Sequence, residues 1–246
     1  MARLSLKADA QRYFFGYLWW ILEPLLWVGV FYVVFEVLLN SGRADFLVFL
    51  AVGKLTFIWF SKSVSQAASS LIGNRGLIGR MDVPKWLFPL AVCHEGLYKQ
   101  IAVFALLIAL LHYQGYVLSA TWVWLVPLAI TQYLLILGCG MAAAVLVCIR
   151  RDFQLLVQLG MVFLLFVSGI FWDIDSIGNA VLRENLLWVN PMASLIDLYR
   201  SVLIEGSAPL ISQWLTVLGE SIAILALLTW VYRVLHYWIA RRVVTQ

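Results

Sequence analysis

Long apolar stretches alternate with short polar breaks along the chain. Six stretches each hold the roughly 20 apolar residues that a helix needs to cross a bilayer. They run over 17–39, 46–72, 86–111, 122–149, 153–172 and 214–235. The second, third and fourth have length to spare for tilt. The first is too long for a cleavable leader, carries Glu23, and is followed by no small-x-small site. Trp19, Trp20, Trp86, Trp122, Trp172 and Trp214 fall at span ends, where interfacial aromatics belong.

Three segments between or before these stretches have patterns of their own. In residues 3–15, Arg3, Lys7 and Gln11 recur at helical spacing, while Leu6, Ala10, Tyr13 and Phe14 gather elsewhere. That predicts an amphipathic helix lying in the membrane interface. The loop 73–85 mixes charge with Leu77, Ile78, Met81 and Val83, so it either docks an apolar side on something or hugs the membrane. Segment 173–213 is too apolar for a soaked loop. Its Asn190-Pro191 is a helix start, with Asn as N-cap and Pro in the first turn. Met192, Leu195, Ile196, Tyr199 and Leu203 then repeat at helical spacing, and Asp197 and Arg200 are expected on a polar side, where they can pair. A piece this short cannot span. It is either a re-entrant helix, which must be covered by protein or line a cavity, or a helix resting on the outer surface.

Composition narrows the class. Of 246 residues, 63% are hydrophobic and only 12% charged, against roughly 45–50% apolar in soluble domains. Mean hydropathy is +0.93. The net charge of +4 reflects few acids rather than a basic face, which removes disorder and nucleic-acid binding. Of the 17 Lys and Arg, eleven fall on one side: Arg3, Lys7 and Arg12, Arg75, Arg80 and Lys85, Arg150 and Arg151, and Arg233, Arg241 and Arg242. Arg43, Arg183 and Arg200 fall on the other. The positive-inside rule then puts both termini in the cytoplasm.

Charges within a span are costly and need partners. Ser61, Ser65 and Ser69 follow Lys54 along one side of the second span, beside Lys62 and Gln66. The stripe faces either a wet pathway or neighbouring helices that it hydrogen-bonds. Glu95 and Lys99 form an i, i+4 pair, with a structural ion pair favoured over a role in ion-coupled carriage. Gly138, Gly140 and Ala142 to Ala144 mark a close-packing fourth span. Phe57 lies four residues before Ser61 and shares its side, whereas Trp59 turns away. With Phe163 and Phe166, Phe57 is a candidate for a path that stacks on sugars. The chain has no phosphate-binding G-x-x-x-x-G-K-[ST] segment, so it is not expected to hydrolyse ATP. Its three histidines carry no metal-ligand spacing. Ser168 and His236 sit at opposite ends of their spans, which argues against an intramembrane serine protease. Cys93, Cys139 and Cys148 lie in apolar runs and give no disulfide framework.

The order of these parts resembles a known family. An amphipathic start is followed by Leu22-Glu23-Pro24-Leu25-Leu26 and the 74–84 loop. Arg151-Asp152-Phe153 opens span five and Ser168-Gly169-Ile170-Phe171-Trp172 closes it, with Asn190-Pro191 and Arg200 before span six. The chain thus resembles, over nearly its whole length, the permease subunit of type-2 ABC exporters for polysaccharides, the O-antigen, capsule and teichoic-acid group. One departure is Gly169, where the family often has proline, so the resemblance carries no proline bend at the end of span five.

The resemblance implies an all-α membrane protein. A single transmembrane domain over 1–246 would hold six spans, an interfacial N-terminal helix and re-entrant gating helices between spans five and six. It implies a homodimer in the cytoplasmic membrane, working with two ATP-binding subunits that carry the ATP and magnesium. This chain itself would bind no cofactor or metal. A lipid-linked glycan would be moved, its headgroup met by Arg3, Lys7 and Arg12, its sugars passing Phe57, Ser61, Ser65, Phe163 and Phe166. Asn74, Arg75, Ile78, Arg80 and Met81 would contact the ATPase, and Asn190, Pro191, Asp197 and Arg200 would form the outer gate. A lipid or drug exporter of the same type is the nearest alternative, and an ion-coupled carrier using Glu95 and Lys99 the more distant one.

Overall fold

The computed structural model describes residues 16–38 and 45–245. The expected helix at 3–15, with Arg3, Lys7 and Arg12, lies outside the described residues, as does Arg43. Among the described residues all regular structure is helical. The helices are α1 (Trp19–Tyr32), α2 (Phe46–Ala68), α3 (Ser70–Gly73), α4 (Arg75–Ile78), α5 (Leu87–Tyr113), α6 (Leu125–Ile149), α7 (Phe153–Val167), α8 (Ala180–Val189), α9 (Pro191–Leu203), α10 (Ile211–Val234) and α11 (His236–Val244). α1 continues through Leu38 as a π-helical stretch.

Among the described residues, four helices are long and apolar enough to cross a membrane: Phe46–Ala68, Leu87–Tyr113, Ala120–Ile149 and Ile211–Val234. The first and fifth expected spans appear as the shorter apolar helices Trp19–Phe35 and Phe153–Val167. The second expected span breaks for one residue at Ser69, whose hydroxyl donates back to the Gln66 carbonyl at 3.1 Å, and resumes as α3 through Gly73. The fifth ends at Val167 rather than residue 172. Gly169 follows the C-cap in the left-handed region, at φ 70°, where a side chain would be strained.

α2 is the axis of the bundle. Eighteen of its 23 residues are buried, as expected for a helix that is apolar on nearly every side. α1, α5, α6, α7 and α9 pack around it. α6 approaches closely through its small residues. A Cβ at Gly138 would lie 2.7 Å from Ile224 of α10, and one at Gly140 would lie 3.0 Å from Cys93 of α5. α7, by contrast, has no buried residue. A second apolar cluster sits at the end of the bundle that carries Arg75, Arg80, Arg150, Arg151, Arg233, Arg241 and Arg242. There α11 covers α4.

Candidate substrate path and its two ends

The polar stripe of α2 opens onto a groove of about 580 Å³. Ser61 and Ser65 of α2 and Ser69 just past it form one side, Glu23 comes from α1, and Gln154 and Gln158 come from α7. Gln154 and Gln158 were not singled out in the sequence. An i, i+4 pair of amides in an otherwise apolar run was the signal for them, since amides at that spacing share one helix face. Lys62 Nζ meets Glu23 Oε2 at 2.6 Å on the groove wall, so each costly charge has its partner.

The groove continues into a smaller cavity of about 200 Å³, bordered by Phe57, Lys54, Trp27 and Leu165. Phe57 and Ser61 border that cavity together. Trp59 instead lines a third cavity of about 180 Å³, with Trp20, Ser63 and Lys99, which shares Glu23, Lys62 and Gln66 with the groove. Lys54 is buried with its ammonium 4.5 Å from the centre of the Phe31 ring and 5.4 Å from that of Trp27. These faces hold a cation by their ring quadrupoles. Phe163 and Phe166 are exposed and do not border the groove. Phe163 lies about 180° around α7 from Gln154, and the Phe166 ring rests 5.5 Å from that of Phe171. Glu95 and Lys99 do pair within α5, at 2.7 Å.

At the end opposite the arginine-rich one, α9 is packed against the bundle, with ten of its 13 residues buried. The Asn190 side chain accepts from the Met192 and Ala193 N–H groups, capping the helix, and donates to the Ser168 hydroxyl at 3.0 Å. Arg200 departs from expectation. It is not on a polar side but buried, its guanidinium 3.3 Å from the centre of the Phe49 ring. Nη1 donates to the Gly169 carbonyl at 2.7 Å, and Nη2 to those of Ile170 at 3.1 Å and Phe49 at 3.3 Å. The bend after α7 frees those first two carbonyls, and Arg200 satisfies them. Asp197 accepts instead from Gln213 at 3.1 Å. Burial raises the Asp197 carboxyl above its ordinary range, and the Gln213 bond opposes this.

At the arginine-rich end, the Asn74 side chain donates to the Ser70 carbonyl at 2.8 Å and Arg75 opens α4. Arg75, Arg80 and Met81 are exposed. Ile78 is buried against α11, so its cover comes from this chain. Asp82 follows, held below the usual carboxylate range by hydrogen bonds from His236 and Lys85.

Residues 3–204 match the family described as ABC-2 type transporter. The chain is 29% identical over 208 residues to the O-antigen export system permease protein RfbA of Klebsiella pneumoniae, covering 82% of this chain and 78% of that one. It is 28% identical over 211 residues to RfbA of Myxococcus xanthus, covering 85% and 80%. It is 27% identical over 217 residues to the polysialic acid transport protein KpsM of Escherichia coli, covering 82% and 79%.

Proposed function

Because the chain belongs to the ABC-2 type transporter family, we propose that it is the transmembrane subunit of a polysaccharide exporter. Its relatives by name export O-antigen and polysialic acid, and it is an integral membrane permease rather than an enzyme. The observation that carries the reading is the polar groove of Ser61, Ser65, Ser69, Gln154 and Gln158. A chain of sugars needs hydrogen-bond partners along its way, and hydroxyls and amides supply both donors and acceptors.

In its finer form the reading has six spans, both termini in the cytoplasm and the cytoplasmic membrane as location. Two copies place their grooves face to face, and two separate ATP-binding subunits drive a lipid-linked glycan between them. Arg3, Lys7 and Arg12 meet the headgroup, with Arg12 closest to the first span. Asn74, Arg75, Ile78, Arg80 and Met81 belong to the ATPase-contacting loop. Asn190, Pro191, Asp197 and Arg200 belong to the outer gate, Arg200 by holding it rather than by touching glycan.

The test uses single cysteines at Ser65 and Gln158 in a background without Cys93, Cys139 and Cys148. Both react with a water-soluble thiol reagent in membranes, and bound glycan slows the reaction. A cysteine at Phe163, on the apolar side of α7 away from the groove, reacts slowly. No labelling at Ser65 and Gln158 defeats the groove as the path. Normal glycan export in a strain without this chain defeats the function itself.

A further inference from the structure

The C-terminal helix α11 has no part in the transport reading, yet the loop after α4 is built against it. Ile239 and Val243, four residues apart, are fully buried, while Tyr237, Arg241 and Val244 are exposed. Ile239 and Val243 share one apolar cluster with Ile78, Leu71 and Phe88. A Cβ on Gly79 would touch Val244 at 3.4 Å. Past the apolar contact, His236 Nε2 lies 3.2 Å from Asp82 Oδ1, which also accepts from Lys85 Nζ at 3.2 Å. Arg242 Nη2 donates to the Ile149 carbonyl at 3.2 Å, tying α11 to the end of α6.

α4 has four residues. Isolated helices below roughly 12 residues are marginal in water, so one turn has no shape of its own without tertiary cover. The cover is α11: its buried side holds the start of the loop, and His236 holds the end. α4 follows α2 and α3 directly, and Lys85 stands two residues before α5. The pose of this loop is therefore the pose of the connection between two principal helices of the bundle.

We propose that α11 is the positioning element of the ATPase-contacting loop. Ile239, Val243 and the His236–Asp82 contact hold the loop stiff enough to pass a push from the ATPase into α2 and α5. The inference rests on the loop being the ATPase contact. Its own content is that a segment about 160 residues further along sets how well that contact transmits force.

The experiment uses the full transporter, this chain with its ATPase subunit, in proteoliposomes. Three quantities are read separately: the amount of ATPase that co-purifies, ATP hydrolysed, and glycan exported per ATP. His236→Ala, Asp82→Ala and Ile239→Ala retain the ATPase but lower export per ATP by about fivefold, on the order of one lost hydrogen bond or partly emptied contact. His236→Gln, whose side-chain amide still donates to Asp82 and leaves the Asp82–Lys85 pair intact, recovers most of the loss seen in His236→Ala. A role in assembly alone would instead lower the amount of ATPase that co-purifies. Unchanged export per ATP in His236→Ala and Ile239→Ala overturns the proposal, and so does a His236→Gln variant as defective as His236→Ala. Failure of the underlying reading looks different: Arg80→Glu then leaves co-purification intact, whatever the α11 variants do.

Discussion

A guanidinium buried in an apolar bundle is stable only where its N–H groups find acceptors and its charge a polarisable neighbour. Arg200 has three carbonyl acceptors and the Phe49 ring. The space it occupies depends on Gly53, where a Cβ would lie 2.8 Å from Nη2. Three bonds pin that nitrogen's group, so it cannot step aside cheaply. Gly53→Ala is expected to destabilise the chain by about 1–3 kcal/mol, the range for overpacking, read as a lower unfolding midpoint in detergent. An unchanged midpoint would mean that the guanidinium is not held there. Asp197 gives the opposite sign. A carboxyl raised by burial favours its protonated form, so the stability it lends is full below the ordinary range and lost as pH rises through the raised value. Asp197→Asn keeps an acceptor for Gln213 and never ionises. It should melt above the parent at neutral pH, with the gap closing below about pH 4. A gap that persists in acid would put its cause elsewhere.

At the scale of elements, two helices of the 173–213 segment begin with the same cap in different surroundings. Asn179 caps α8, which has no buried residue, and Asn190 caps α9, which is largely buried. Each accepts from two backbone N–H groups. An N-cap Asn→Ala costs about 0.5–2 kcal/mol. Asn190→Ala also strands the buried Ser168 hydroxyl, so it should fall at the upper end and Asn179→Ala at the lower. Thermal unfolding of both variants checks the order, and equal losses would mean that the Ser168 bond contributes nothing. Pro191→Ala should be milder still, since Pro in the first turn only pre-sets the backbone. Tyr199→Pro should break α9 at a cost of about 3 kcal/mol, read as new protease cuts between Asp173 and Gln213.

At the scale of the molecule, the Glu23–Lys62 pair stands between two spaces. It borders both the polar groove and the cavity that holds Trp59. Both side chains are partly exposed, so their worth to stability is small. Their worth to transport is a different matter, since the pair keeps the groove wall neutral. Lys62→Glu sets two like charges together and is expected to lower export at least tenfold while leaving the amount of protein in the membrane near normal. Adding Glu23→Lys restores the pair with its sign reversed. If export stays low in the double variant, Lys62 acts on the glycan directly.

What the sequence determined by itself are the terms that depend on type and spacing alone. The apolar stretches, the Glu95–Lys99 pair and the Asn190-Pro191 helix start are local, because their partners sit within one or two helical turns. The shared side of Phe57 and Ser61 is helix geometry and needs no neighbour. Tertiary structure decided everything that needed a partner from far along the chain. Arg200 reads as a polar residue one turn from Asp197, but the bend at Gly169 offers it carbonyls some 30 residues away, and it goes inside. Ile78 reads as an apolar residue awaiting a partner protein, but α11 reaches it first. Glu23 found Lys62, and Gln154 and Gln158 joined the serine stripe, only when α1 and α7 packed against α2. Periodicity shows which side of a helix must be covered. Which element covers it depends on the whole chain folding, and that set the walls of the groove and the pose of the loop.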